Sequence, residues 1–129
     1  EASTPHVRAR LLVEGDALVP GARASALLAL DIQPGWHTYW SNPGDSGAPT
    51  TLEWSLPPGV VAGPIAWPVP ERIPLPPLAN YGYKGRALHL VELDVPADLA
   101  PGALNFLVVR ARWLVCSDVC IPEERRLAL

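Results

Sequence analysis

The chain has 129 residues, of which 49% are apolar, with a formal net charge of −3 and two cysteines. That length suits one domain with a real core. The weak negative charge argues against nucleic-acid binding, which wants a basic face, and no apolar run approaches the roughly 20 residues that a bilayer crossing needs.

The 16 prolines and 10 glycines are scattered between apolar runs, which favours short strands and turns over a disordered tail. The first residue is Glu1 rather than Met, so residues 1–129 read as one domain, trimmed from a precursor or excised from a larger protein. After a polar start, Val7, Ala9, Leu11 and Val13 alternate with His6, Arg8, Arg10 and Glu14, which predicts a half-buried strand. Glu14-Gly15-Asp16 predicts a turn, and Pro20-Gly21 a second break. Residues 24–32 would permit a short helix, but the exit from Asp31 to Gly35 favours a strand. Residues 35–49, G-W-H-T-Y-W-S-N-P-G-D-S-G-A-P, are the densest local pattern, with a turn signal at Asn42-Pro43-Gly44-Asp45. Strand alternation puts Trp36, Thr38 and Trp40 on one face, and His37 and Tyr39 on the other. The tryptophans read as a core plug, with ligand stacking as the functional alternative. His37 reads as a hydrogen-bonded side chain rather than a base or ligand.

Leu52, Trp54 and Leu56 alternate up to Pro57-Pro58-Gly59, and residues 60–67 form a further short strand. Residues 68–78 carry five prolines, which exclude a helix or a central strand and predict a stiff crossing between sheets. The crossing leads into Ala79-Asn80-Tyr81-Gly82-Tyr83-Lys84-Gly85, a predicted loop with exposed aromatics bracketed by glycines. It reads either as an ordinary hairpin tip or as a lid. Ala87, His89, Val91, Leu93 and Val95 form the next strand, with His89 as a satisfied structural histidine. Residues 96–102 are a turn region. Eight or nine short strands separated by breakers predict a β-sandwich.

The chain closes on residues 113–122, W-L-V-C-S-D-V-C-I-P. Four residues of extended strand span roughly 13 Å, whereas a disulfide needs Cα atoms about 4.4–6.8 Å apart. Cys116 and Cys120 therefore bond only if the chain reverses at Ser117-Asp118-Val119, a three-residue hairpin loop of turn-forming residues. Leu107, Val109, Ala111, Trp113 and Val115 form an apolar core row; Val108, Arg110, Arg112, Leu114 and Cys116 form the outer row. Ile121, Leu127 and Leu129 fit the core row after the turn, so both sulfurs are expected away from the core, within reach of a partner. A structural staple is one alternative, but so short a ring gives only about 2 kcal/mol in the chain-entropy model. A metal site is another, but two thiolates need further ligands, and no Cys or His lies close in sequence to complete a zinc set. Redox exchange is the favoured reading. Arg112 lies about 13 Å back along the strand, and Asp118 opposes ionisation, so the pair reads as unactivated. An exposed pair on an all-β domain leans toward an oxidising compartment.

Taken together, G-W-H-T-Y-W-S-N-P-G-D-S-G-A-P-T, I-A-W-P-V-P-E-R, N-Y-G-Y-K-G and W-L-V-C-S-D-V-C-I-P-E resemble the amino-terminal periplasmic domain of the DsbD/ScsB thiol:disulfide interchange family. The resemblance implies an all-β, immunoglobulin-like sandwich with a cysteine-bearing hairpin and a cap loop, residues 78–85, contributed here by Asn80, Tyr81, Gly82 and Tyr83. It implies a periplasmic electron relay belonging to a protein-disulfide reductase, with no cofactor. Electrons would arrive from a thioredoxin-like domain of the same protein and leave to disulfide isomerase or reductase clients. The membrane would enter only through domains downstream of Leu129. Cys120 would form mixed disulfides and Cys116 would resolve them. The three-residue gap between the cysteines, and tyrosines where the best-known members have a cap Phe, place the chain nearer the ScsB branch, which is linked with copper tolerance. A copper-binding module using Cys116 and Cys120 as thiolate ligands is the alternative function.

Overall fold

The structure, a computed structural model, describes residues 2–14, 18–99 and 107–129. Strands β1 (Ala2–Ser3), β2 (Val7–Val13), β3 (Arg23–Ile32), β9 (Arg86–Asp94) and β6 (Val61–Ala66) form one antiparallel sheet in the order β1-β2-β3-β9-β6. Strict alternation drives it: β9 is buried at every second residue along its whole length. The facing layer has two pieces. One is β11 (Cys120–Ala128), β10 (Val108–Cys116) and β5 (Thr51–Ser55); the other is β4 (Thr38–Gly44), β8 (Leu78–Tyr83) and β7 (Glu71–Leu75). A single antiparallel bridge between His37 and Cys116 joins the two pieces. Among the described residues there are eleven strands and no helix.

The core lies between the layers. Leu11, Leu28 and Leu30 of the large sheet meet Val109, Ala111, Trp113 and Val115 of β10. A second cluster, with Leu18, Val91, Leu93, Val95 and Leu107, fills the opposite end. The predicted inward row of β10 is thus the buried row. Leu129, predicted to join it, is instead exposed, because it lies past the last rung of the ladder.

Three local expectations change. The proline-rich stretch contains strand β7, which the crossing model did not foresee. β7 pairs only with β8, so it is an edge strand, where the missing N–H of Pro74 is tolerated. The hairpin tip is the cis Pro76-Pro77 pair between Leu75 and Leu78. Residues 79–83, expected as a loop with exposed aromatics, belong to β8, and Tyr83 is buried. Gly82 permits this pairing: a Cβ there would run into the carbonyl of Thr38 on β4.

The tryptophans are the third change. Trp36 and Trp40 are only half-buried at the rim of the core, whereas Thr38 and Tyr39 are both fully covered. Period-two reasoning fails there because β4 is covered on both faces. The core lies on one side; on the other the chain after β4 folds back, and Gly47 packs on the Tyr39 ring. His89 is buried, as expected, but only half satisfied: its Nδ1 lies 3.4 Å from the Leu28 carbonyl oxygen, and its Nε2 has no partner. The predicted turn at Gly15-Asp16 and the part of the turn region at 100–102 lie outside the described residues.

Candidate functional site: a disulfide at the end of a sheet face

The β10–β11 ladder runs unbroken from Val108↔Ala128 to Cys116↔Cys120. The chain reverses at Ser117-Asp118-Val119, where the Ser117 N–H donates to the Val119 carbonyl at 2.9 Å. Cys116 and Cys120 are joined by a disulfide. The three-residue reversal expected from turn chemistry is the one the fold adopts.

The exposure of the two cysteines departs from expectation. Cys116 is 0% exposed, whereas Cys120 is open to solvent. The reason is the segment leading into β4. His37 and Cys116 exchange both backbone hydrogen bonds, each at 2.9 Å, and so cover the free edge of β10 beyond the end of β5. Directly paired residues of an antiparallel ladder project to the same face. His37, Cys116 and Cys120 therefore form one cross-strand row: a buried imidazole, a buried sulfur and an accessible one.

Further rows continue along the same face. Leu114 pairs with Pro122, and Arg112 lies between Thr51 and Glu124. With Ala48 and Pro49 as a wall, these residues line an open groove of about 420 Å³. Arg112 Nε donates to Glu124 Oε2 at 2.6 Å at its far end. On the other side of the cysteine turn is a crevice of about 250 Å³. Ile73, Pro74 and Leu75 of β7 form one wall; Ser117 and Asp118 of the turn form another; His37 and Lys84 also line it.

The residues predicted as the cap sit in the inner strand of the β7–β8 hairpin. Asn80 is buried, and its Nδ2 donates to the Ser46 carbonyl oxygen at 2.7 Å and to the Ser46 hydroxyl at 2.8 Å. Tyr81 meets Trp40 edge to face. Tyr83 donates to the Pro68 carbonyl at 2.9 Å, and burial pushes its phenol up to about 12. The part of this hairpin that lines the crevice beside the cysteine turn is β7, through Ile73, Pro74 and Leu75.

His37 is a hydrogen-bonded side chain, as the sequence suggested; its place across the ladder from Cys116 is what the sequence did not show. Its ring is 4% exposed, and its Nε2 lies 3.1 Å from the Tyr39 hydroxyl. Burial, with the charge of Lys84 added, holds the imidazole below the ordinary histidine value. Burial likewise raises the Tyr39 phenol, partly offset by a hydrogen bond from Asn80. Glu123 was also missed. It falls at an inward position of β11 yet is a carboxylate, which was the available signal. It accepts hydrogen bonds from Thr4 Oγ1 and from Trp113 Nε1 (3.1 Å), and pairs with His6 Nδ1 at 2.9 Å. Burial alone would raise its carboxyl, but these partners hold it below the usual range. The cluster ties the amino-terminal segment to the cysteine hairpin. Among the described residues no group of three or more His, Cys, Asp or Glu side chains is placed to hold a metal ion.

The N-terminal periplasmic domain of ScsB from Proteus mirabilis superimposes with a TM-score of 0.74 at 23% identity, over 98% of this chain and 47% of that one. The reduced N-terminal domain of Neisseria meningitidis DsbD superimposes with a TM-score of 0.51 at 13% identity, over 94% of this chain and 82% of that one. The chain thus spans about half the length of the ScsB domain. No curated protein matches it in sequence. At these identities the likeness is one of fold, and it identifies the open two-layer architecture as immunoglobulin-like. Residues 8–129 match the family described as "Thiol:disulfide interchange protein DsbD, N-terminal". With the match covering nearly the whole chain, including the cysteine hairpin, this protein belongs to the DsbD amino-terminal domain family of thiol:disulfide interchange proteins.

Proposed function

We propose that the domain relays electrons between protein dithiols and disulfides in the bacterial periplasm, as one part of a protein-disulfide reductase. The carrying observation is the asymmetry of the pair: Cys120 is open and Cys116 is fully covered. An incoming disulfide reaches only an accessible thiolate. Cys120 is therefore the residue that forms mixed disulfides, and Cys116 resolves them. The donor is a thioredoxin-like domain of the same polypeptide, and the acceptors are periplasmic disulfide isomerases or reductases. The periplasmic setting follows the description of the ScsB domain. The groove lined by Leu114, Pro122 and Arg112 begins two rungs from the disulfide, on the same face, and would seat the client chain beside Cys120. The β7–β8 hairpin, carrying Asn80, Tyr81, Gly82 and Tyr83 on its inner strand, serves as the cap, with Ile73, Pro74 and Leu75 as the surface turned to the cysteine turn.

The test is trapping. Reduced Cys116→Ser protein mixed with an oxidised thioredoxin-like isomerase should accumulate a covalent complex through Cys120 on non-reducing gels. Cys120→Ser should give none. Equal trapping by both variants, or by neither, refutes the assignment.

A further inference from the structure

We infer that His37 is the proton acceptor for Cys116 in the resolving step. The inference rests on the reading above, in which Cys120 takes the client and Cys116 releases it. Cys116 must lose its proton before it attacks, because the thiolate is the nucleophile. Yet it is 0% exposed, so bulk water does not serve it. His37 stands directly across the ladder from it, with both backbone hydrogen bonds made, so imidazole and thiol project side by side on one face. On its other side Cys116 is paired with Cys120, so the base, the attacking sulfur and the sulfur under attack lie in one row.

The surroundings of the ring suit the task. Tyr39, two residues on and on the same face, bonds Nε2 at 3.1 Å and meets the ring edge to face, which fixes its orientation. The charged and titratable groups around it are Tyr39 on its own strand, Lys84 after β8, Asp118 in the cysteine turn, and the two cysteines on β10 and β11. Lys84 is itself held near Glu71 of β7 at 3.9 Å. Burial and the Lys84 charge keep the imidazole neutral at neutral pH, the form able to take a proton. The ring also lines the crevice beside the turn, which gives that proton a way out to solvent.

The step balances. In the mixed disulfide, the Cys116 thiol passes its proton to the His37 imidazole and attacks Cys120 Sγ. The Cys116–Cys120 bond forms and the Cys120–client bond breaks; the client sulfur leaves as thiolate and takes up a proton from solvent. The two cysteines are oxidised and the client disulfide is reduced. His37 returns its proton through the crevice. In the reverse direction, when the donor domain attacks Cys120, the same imidazolium protonates the departing Cys116 thiolate.

The experiment mixes reduced protein with one equivalent of bis-thionitrobenzoate disulfide. Attack by Cys120 releases the first coloured thiolate, and resolution by Cys116 releases the second. In His37→Gln the ratio of second-phase to first-phase rate at pH 7 should fall about 100-fold. The variant's second phase should then climb about tenfold per pH unit with thiolate fraction, while the wild-type phase levels off. A second phase with unchanged ratio and pH profile in His37→Gln overturns the inference alone. Absence of any reaction at Cys120 in Cys116→Ser overturns the reading beneath it. An independent measurement needs no variant at His37: in reduced wild-type protein the His37 ring resonances should show a second inflection where Cys116 ionises. Identical His37 titrations in the reduced and oxidised proteins overturn the inference as well.

Discussion

In the five-stranded sheet, β2, β3 and β9 pair residue for residue, from Val7↔Ile32 through to Arg23↔Asp94, with no shift of register. The facing layer is interrupted. Among the described residues its two pieces share a single backbone bridge, His37–Cys116, and the register of β4 against β8 shifts between Tyr39 and Gly44. Buried polar atoms without partners occur in both regions among the described residues: Thr38 Oγ1 and Thr50 Oγ1 in the facing layer, Arg10 Nε and His89 Nε2 on strands of the large sheet. The regular sheet supplies a rigid backing. The interrupted layer supplies what exchange chemistry needs, a covered sulfur, an uncovered one and a hairpin at the edge. The crevice at Ser117-Asp118 lies between β7, the edge strand of one piece, and the cysteine turn of the other.

The largest test of that division is Leu30→Ala. Leu30 is fully buried in the regular sheet, so truncation should cost about 2–5 kcal/mol in urea unfolding. The exchange rate of the folded protein should hardly move. A large change in exchange with little loss of stability would erase the distinction between backing and site.

Next comes the boundary between the regions, at His89. Its ring sits edge-on to Trp67 and Tyr83, and burial pushes it down to about 4 from 6.5. The unfolded chain therefore binds the extra proton between those two values. Stability is fully present above pH 6.5 and falls as the pH drops toward 4, by roughly 3 kcal/mol from this residue. Urea midpoints measured across that window should show the loss, and His89→Gln should flatten it.

Gly82→Ala acts inside the interrupted layer. The added Cβ meets the Thr38 carbonyl, so β4 and β8 must separate. A loss of about 1–3 kcal/mol is expected, with faster amide exchange confined to β4, β7 and β8. Uniform exchange across the molecule would mean that the two regions open together. Tyr83→Phe removes only the bond to the Pro68 carbonyl and should cost about 1 kcal/mol. Arg112→Ala is the mildest change. Its pair with Glu124 is solvent-exposed, so the thermal midpoint should move little. Any effect on client trapping would then belong to the groove.

Much of the regular sheet was legible because period-two alternation over long strands reports burial on one face. Val7 to Val13 and Ala87 to Leu93 carry that signal plainly. The interrupted layer was less legible. Tyr39 and Thr38 are both covered, so alternation no longer says which side is core. The edge strand β7 was hidden by its prolines, and β8 by glycines that read as loop but serve as close contacts. His37 carried no local mark of its position beside a sulfur, because its partner lies in a distant part of the chain.

By itself the sequence determined the cysteine hairpin. Two thiols with three residues between them meet only across a tight reversal, and Ser117-Asp118-Val119 forms one. It likewise determined which row of β10 faces the core, since both are short-range consequences of chain geometry. Only the tertiary structure decided that the two sulfurs are unequal. That inequality comes from a strand brought in from far along the chain, whose backbone satisfies the free edge of β10 at Cys116 and stops short of Cys120. Hydrogen-bonding groups at a sheet edge will pair with whatever segment the fold delivers to them, and that delivery is a property of the whole packing rather than of the residues around the pair.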